Sequence, residues 1–553
     1  MYLSVSYWNA EKKRPDNRKT RIGKLDIMTG EPLYTQEYLD SLVESGKSIE
    51  GMRLWDKSRE VKIILDNIPR DETVVAREVL SSTKDFGSTY FLRELANKIG
   101  LVDTLKNSLP GIWQEVFWLA CFLVCEDKPV MYCDDWVNSH DGVGLVKLGS
   151  QRISDLLISF GEVERATFYR AWYKLIRERE YIALDITSVS SYSNNIEYCE
   201  WGYNRDGEDL PQVNICMLFG EQSRLPVYQT IYSGSLGDVT TLRSTISEFA
   251  ALTGDRDIMF VMDKGFYSTA NVITMLGNEE EGWLCKFLMA VPFSNKPPRL
   301  HIAEERENID TTDNVVFTSN TLIRGVCRTA IWDECELLAH VFFDPVKELS
   351  ERNELCGYVS SLKKKALDDP HNNKLAAEYR KYLTITMSEE TGAVVDISIR
   401  NGVIAKKLET VGWFVLLSNH VRDPQTAYDA YRMKDVVEKG FLRYKNSLGL
   451  DRLRVHNDDR MQNKVFVAFI ALIIASSIYE TMSRQGLHNS MTLDRLLLTM
   501  DKLKSAQISG KTVLRPITRE QSDILAAFSL PLPDSNTGLP TEIKKRGRKP
   551  RAG

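Results

Sequence analysis

The order of apolar runs over residues 181–266 leaves few architectures open. "YIALDITSVSSYS" is an apolar, β-branched run, "GYNRDGEDLPQVNICMLFG" holds turn residues and then a second such run, and "RLPVYQTIYSG" is a third. Runs of this composition, bounded by turn formers, predict strands. "DVTTLRSTISEFAAL" then has helical spacing, and "DIMFVMDKGF" returns as a fourth strand. Strands in succession, then a helix, then a strand, predict an α/β fold built on a mixed sheet.

"GWFVLLSNH" (412–420) is a further clean strand and leads into a helix over "AYDAYRMKDVVEKGFLRYKNSL" (427–448). Asp423 and Pro424 just upstream supply an N-cap and a proline at the first helical position. Residues 181–281 and 408–485 are therefore expected to form one domain, divided by a less regular insertion over 282–407. Residues 1–80 predict a small β-rich or mixed N-terminal region, 81–180 a helical region, 486–540 a C-terminal helical region and 541–553 a basic disordered tail. In the helical region, "SQRISDLLISFGEVERATFYRAWYKLIRERE" is two amphipathic segments broken at Gly161. DNA-reading helix-turn-helix units have this pattern, and so do ordinary helical hairpins.

The net charge of −5 over 553 residues gives no global basicity, so a nucleic-acid partner would have to meet local basic patches. The nine cysteines include no CxxC pair, and the seven histidines form no HxxxH pair, so neither a zinc site nor a disulfide framework is indicated. No G-x-S-x-G and no phosphate loop of the G-x-x-x-x-G-K type is present, so ATP is not implied. The apolar run "VFVAFIALIIASSI" has 14 residues, too few to span a bilayer, and predicts a buried helix rather than a membrane anchor. The N-terminal stretch has no apolar core of a signal peptide. A cytoplasmic protein, associated with the nucleoid when bound to DNA, is expected.

Three acids stand out. Asp185 lies mid-strand in "IALDITS", where a charge is costly unless it is paired, hydrogen-bonded or bound to metal. Asp263 ends the apolar run "IMFVMD", and Glu438 lies on the 427–448 helix. On that helix Lys434, Glu438 and Lys445 fall roughly 60°, 20° and 40° to one side of Tyr431, on one narrow stripe. An oxygen-ligand site for Mg²⁺ fits three carboxylates from two strands and a helix, and two such ions about 3.5–4 Å apart can bracket a phosphodiester. Tyr431, Lys434 and Lys445 would then face phosphates. The helix alone fits an ordinary surface equally well, since Lys434 and Glu438 are spaced i, i+4 like a simple ion pair.

The set Tyr431, Lys434, Glu438 and Lys445 resembles the Y-(2)-R-(3)-E-(6)-K signature of bacterial insertion-sequence transposases of the DDE class. "LDITSVSSYS", "GYNRDGEDLPQVNICMLF", "RLPVYQTIYSGSLGDVTTL" and "FVMDKGFYS" also look like blocks of that family, in its order. The resemblance covers roughly residues 180–480 and implies a ribonuclease H-like mixed sheet interrupted by an insertion domain. It implies Asp185, Asp263 and Glu438, successively 78 and 175 residues apart, as catalytic and metal-binding acids. Two Mg²⁺ ions, with Mn²⁺ as a substitute, and a homodimer on double-stranded DNA are the implied cofactor and assembly. The signature arginine is Lys434 here, which keeps the charge but loses the bidentate fork.

The activity implied is cleavage of DNA at the element's terminal inverted repeats and joining of the 3′-hydroxyl ends to target DNA. The rival readings are a metal-dependent nuclease of the same fold without strand joining, and a catalytically silent DNA-binding derivative. Arg452 and Arg454 would extend a phosphate track, or form a rim of ion pairs with nearby acids. Lys545, Arg546 and Arg548 in the tail resemble a minor-groove hook or serve non-specific binding. Trp332 is a candidate for stacking on a displaced base, although a place in the core is the readier reading.

Overall fold

The structure is a computed structural model that describes residues 1–9, 14–25, 31–55, 79, 82–144, 146–176, 181–255, 258–277, 285–318, 321–332, 335–372, 374–388, 394–446, 448–450, 452–508 and 511–541. Two compact units emerge, one of residues 1–83, 505–514 and 535–538, the other of the remaining chain. The smaller unit holds the antiparallel ribbon β1 (Tyr2–Asn9) and β2 (Arg14–Arg21). It also holds a three-stranded sheet of β3 (Gly23–Leu25), β4 (Pro32–Tyr34) and β5 (Arg53–Leu54), and the helix Gln36–Glu44.

The larger unit opens with β6 (Lys84–Asp85) and a set of helices, and is then organised on one nine-stranded sheet. β7 (Tyr181–Ser190), β8 (Gln212–Gly220) and β9 (Pro226–Ser233) form an antiparallel meander, with β9 at the sheet edge. The helix Asp238–Thr253 then carries the chain to β10 (Met259–Met262), which pairs parallel with the other side of β7. β11 (Lys286–Ala290) pairs parallel with β10. The spatial order β9-β8-β7-β10-β11, three antiparallel strands continued by two parallel ones, is the ribonuclease H-like arrangement.

The sheet does not stop there. β12 (Val315–Phe317), β13 (Leu322–Trp332), β14 (Cys335–Phe343) and β17 (Trp413–Ser418) extend it antiparallel in the order β12-β13-β14-β17-β11. Four strands of the segment 282–407, expected as an insertion, thus join the large sheet, and β11 is a core strand inside that range. Only 345–408 makes a satellite, in which the helices Pro345–Asp368 and Ala376–Tyr382 and the hairpin β15 (Leu383–Met387) and β16 (Val394–Ile399) bury their own cluster around Val359, Leu362, Tyr379 and Ile397. Sequence pattern marks β13 and β14 as strands but cannot say which sheet they join.

Every residue of β8 is buried, as a central strand covered on both faces requires. The helix Asp458–Arg484 is long and apolar enough to cross a membrane by composition, yet Val465 to Ala475 are buried within the fold. Phe168, Tyr169 and Trp172 of the helix Glu162–Ile176 pack inward, with Phe168 edge-on to Phe466 at 5.3 Å and the Trp172 Nε1 donating to the Pro226 carbonyl at 2.9 Å. The second of the two amphipathic segments therefore spends its aromatic face on β9 and the helix Asp458–Arg484.

Candidate active site

β7 and β10 bring two acids together by register alone. Tyr181 pairs with Met259, Ala183 with Val261 and Leu184 with Met262, so the next rung sets Asp185 beside Asp263. Adjacent strands lie about 4.8 Å apart, and side chains two residues apart share a face. Asp263 thus continues the face of Met259 and Val261, which the helix Pro424–Arg432 covers with Ala427 and Ala430.

That helix is capped as its sequence indicates: the Asp423 carboxylate accepts from the Thr426 amide at 2.8 Å, and Pro424 opens the first turn. It is not continuous with the next one. Met433 separates it from the helix Lys434–Asn446, and the amides of Met433 and Val436 bond three residues back, to Ala430 and Met433. Tightening to this spacing brings side chains three apart into line. Tyr431 and Lys434 consequently converge on one acid, with the Tyr431 hydroxyl donating to Asp263 Oδ1 at 3.3 Å and Lys434 Nζ lying 3.0 Å from Asp263 Oδ2. Lys434 Nζ lies equally 3.0 Å from Glu438 Oε1 one turn on, so a single ammonium ties the strand acid to the helix acid.

The charges are unevenly compensated. Burial pushes the Asp185 carboxyl up to about 6, with Asp263 adding to the effect, while Lys434 and the Ile186 amide pull it back. Burial also acts on Asp263, but the adjoining Lys434 ammonium outweighs it and holds this acid below the usual carboxylate range. Lys434 itself stays firmly protonated, because Asp263 and Asp185 more than offset its burial. Glu438 is the outermost of the three acids, with its side chain 57% exposed.

The transposase DDE domain family matches residues 177–474, more than half of the sequence. The chain belongs to this family. No curated protein matches it. Among solved structures, a piggyBac transposase synaptic complex with hairpin DNA is similar over 70% of this chain and 70% of its own, at 11% identity and a TM-score of 0.34. A Mos1 transposase paired-end complex with the left transposon end is similar over 35% of this chain and 66% of its own, at 12% identity and a TM-score of 0.14. Both likenesses are faint, and the ribonuclease H-like assignment rests on strand order.

The transposase domain places the expected residues in two groups. Asp263, Tyr431, Lys434 and Glu438 meet at the start of the helix Lys434–Asn446, with Asp185 on the strand beside Asp263. Lys445 and Arg452 lie with the 200–211 loop, where Lys445 Nζ is 2.6 Å from Asp206 Oδ2 and Arg452 Nη2 is 2.5 Å from Glu208 Oε1. Lys445 of the signature and the neighbouring Arg452 are therefore held by protein carboxylates. Arg454 adopts a φ of 47° and borders a small cavity with Leu450 and Val467. Trp332 is fully buried, its Nε1 donating to the Tyr267 hydroxyl at 2.8 Å and its ring stacked on His301 at 5.7 Å, so it is a core residue. Lys545, Arg546 and Arg548 lie outside the described residues.

The family implies a divalent metal. Among the described residues, no three Asp, Glu, His or Cys side chains stand close enough together to hold one ion, and Lys434 occupies the space between Asp263 and Glu438. The donor set still fits a hard cation. All three side chains offer oxygen, and Asp185 is a buried acid short of positive charge, which is what a cation would supply. A cleft of about 680 Å³ opens at Asp263, lined by Tyr431, Lys434, Lys264, Lys347 and Phe293 among others. A second cleft, of about 690 Å³, runs along the edge strand β9 and includes none of the three acids.

Sequence reasoning missed Arg205 and Asp238. Arg205 Nη1 donates to Ser188 Oγ of β7 at 3.3 Å, and its Nη2 bonds the Asp238 carboxylate at the start of the helix Asp238–Thr253. Asp238 in turn packs so closely on the turn after Asp263 that a Cβ at Gly265 would lie 2.9 Å from its Oδ2. The pair braces both aspartate-bearing strands, and the Arg205 charge helps hold Asp185 down. Arg205→Ala would leave a mostly buried carboxylate unpaired and is expected to cost about 1–3 kcal/mol of stability. Thermal unfolding beside Asp238→Asn checks this: the double variant should be no worse than Arg205→Ala alone.

Proposed function

We propose that this transposase acts on the ends of a mobile element. It binds the terminal inverted repeats in double-stranded DNA, hydrolyses a phosphodiester at each end, and joins the freed 3′-hydroxyl ends to target DNA. The observation that carries the reading is the side-by-side seating of Asp185 and Asp263, with Lys434 linking Asp263 to Glu438. The family assignment adds to it.

Both reactions are in-line displacements at phosphorus, in which an oxygen nucleophile attacks and a DNA oxygen leaves. Asp185, Asp263 and Glu438 are the residues that would hold divalent metal, Mg²⁺ or Mn²⁺. When bound, two such ions would supply charge stabilisation at phosphorus and a readily deprotonated nucleophile. The protein orients the rest. Tyr431 fixes Asp263 through its hydroxyl, and the Arg205–Asp238 pair holds the strand ends in place. Lys264, Lys347 and Lys434 border the cleft and suit a phosphate backbone. Two ends must be joined in one event, so a homodimer on DNA fits the reaction, and action on the nucleoid in the cytoplasm follows from the substrate.

The test is incubation of the protein with DNA carrying the element's flanking ends, with Mg²⁺ or with EDTA, using wild type and Glu438→Gln. Cleavage by wild type in Mg²⁺ alone supports the reading. Cleavage that survives in Glu438→Gln overturns it. A pre-nicked end offered with target DNA separates transposase from nuclease, since only strand transfer yields joined product.

A further inference from the structure

The excursion between β7 and β8 is acidic, with Glu197, Glu200, Asp206, Glu208 and Asp209 against Arg205. Two of these acids are spent on cations expected to meet phosphate. Asp206 Oδ2 lies 2.6 Å from Lys445 Nζ, and Glu208 Oε1 lies 2.5 Å from Arg452 Nη2. The two cations form one patch, for Glu208 feels both. The Ser190 hydroxyl, Arg452 and Lys445 together hold its carboxyl below the usual carboxylate range. The side chains of Lys445 and Arg452 are left only 14% and 22% exposed, so neither charge is open to DNA while the acids stay in place.

Both acids leave one tight turn, "NRDGE" (204–208). The Asn204 side-chain carbonyl accepts from the Asp206 amide at 2.8 Å and from the Glu208 amide at 3.4 Å, and Gly207 takes the φ of 70° that the turn requires. The turn is fastened to β7 by other groups. Asn204 Nδ2 donates to Ser190 Oγ at 3.0 Å, and Arg205 Nη1 donates to Ser188 Oγ at 3.3 Å. Rotating the Asp206 and Glu208 side chains away breaks their ion pairs and the bond from Ser190 Oγ to Glu208, and leaves these fastenings in place. A phosphate and a carboxylate compete for the same ammonium or guanidinium, so each pair that must open weakens DNA binding. A permanent brace would instead keep both pairs when DNA binds.

We propose that Asp206 and Glu208 form an autoinhibitory strap, which occupies Lys445 and Arg452 in the DNA-free protein and is displaced by the DNA backbone. The proposal rests on the DNA-cleaving reading and adds a regulation of that site. The test measures affinity of the full chain in EDTA for a fluorescein-labelled duplex carrying the element's flanking end. Asp206→Asn with Glu208→Gln is expected to bind about fivefold or more tightly than wild type, the scale of two partly exposed ion pairs. Asp209→Asn removes one charge from the same segment and reads the long-range effect alone, expected at about twofold at most. With Lys445→Gln and Arg452→Gln also present, the two acid substitutions should gain no more per charge than Asp209→Asn. A gain that persists without the two cations, or that only matches Asp209→Asn per charge removed, overturns the strap and leaves the nuclease reading standing. Duplex that wild type does not bind counts against both. Asp206 stands on an exposed turn, so Asp206→Asn alone decides if the double variant melts early: a gain above that of Asp209→Asn supports the strap, and no such gain overturns it.

Discussion

Asp185→Asn is expected to lower DNA-end cleavage about a thousandfold or more, because several kcal/mol of transition-state stabilisation go with the carboxylate and each 1.36 kcal/mol is worth a factor of ten. DNA affinity should barely move, since Asp185 is not among the residues that line the cleft bearing Lys264, Lys347 and Lys434. The substitution is nearly isosteric, and the amide oxygen can still accept from Ile186 N, as Asp185 Oδ1 does at 2.9 Å. Stability separates this outcome from a folding defect. In the metal-free protein burial disfavours the charged form of Asp185, so the folded state carries a penalty at pH values above the raised value of about 6. Asparagine removes that charge, and its melting temperature in EDTA should equal or exceed that of wild type at neutral pH. A variant that is inactive, DNA-binding and no less stable identifies Asp185 as a functional acid held against its own preference. Retained cleavage would remove it from the site.

The conflict at Asp185 was legible in the sequence, because a carboxylate inside "IALDITS" has no cheap resting place. Its neighbour was not. That Asp185 meets Asp263 depends on parallel pairing of β7 with β10, and a parallel partner is separated by a crossover whose register leaves no local mark. The 427–448 helix shows the opposite failure. Its 3.6-residue periodicity predicts one straight stripe, yet the turn at Met433 tightens and redirects Tyr431 and Lys434 onto Asp263. Apolar periodicity cannot distinguish i→i+3 from i→i+4 bonding over one turn. β11 leaves no mark inside the expected insertion, because five residues with no alternation carry too little pattern. Arg205 escaped notice because, in a turn-rich stretch, an arginine looks solvated until its partner Asp238, 33 residues on, is brought beside it.

Lys434 should prove to be the residue that balances the metal-free site, and removing it should have two opposite effects. Its ammonium lies 3.0 Å from both Asp263 and Glu438 with only 14% of its side chain exposed, and it is a principal counter-charge to buried Asp185. Lys434→Gln leaves these acids facing one another without it. Breaking a buried pair costs about 3–5 kcal/mol, and the exposure of Glu438 lowers the expectation here to about 1–3 kcal/mol of stability in EDTA. A divalent cation, however, needs the same oxygens. Ammonium and metal compete for them, so by linkage the loss of one favours the other, and a coupling of about 1–3 kcal/mol corresponds to roughly tenfold or more in affinity. Calorimetric titration with Mg²⁺ or Mn²⁺ should therefore find tighter binding in Lys434→Gln than in wild type, with a larger rise in melting temperature on adding metal. Lys434→Arg keeps the charge and should stay near wild type in both. Cleavage by Lys434→Gln is nonetheless expected to fall, because a lysine displaced from the acids at the rim of the cleft is a cation placed to meet a DNA phosphate. Unchanged or weaker metal binding in Lys434→Gln would mean that the ammonium helps assemble the acids instead of standing in for the ion.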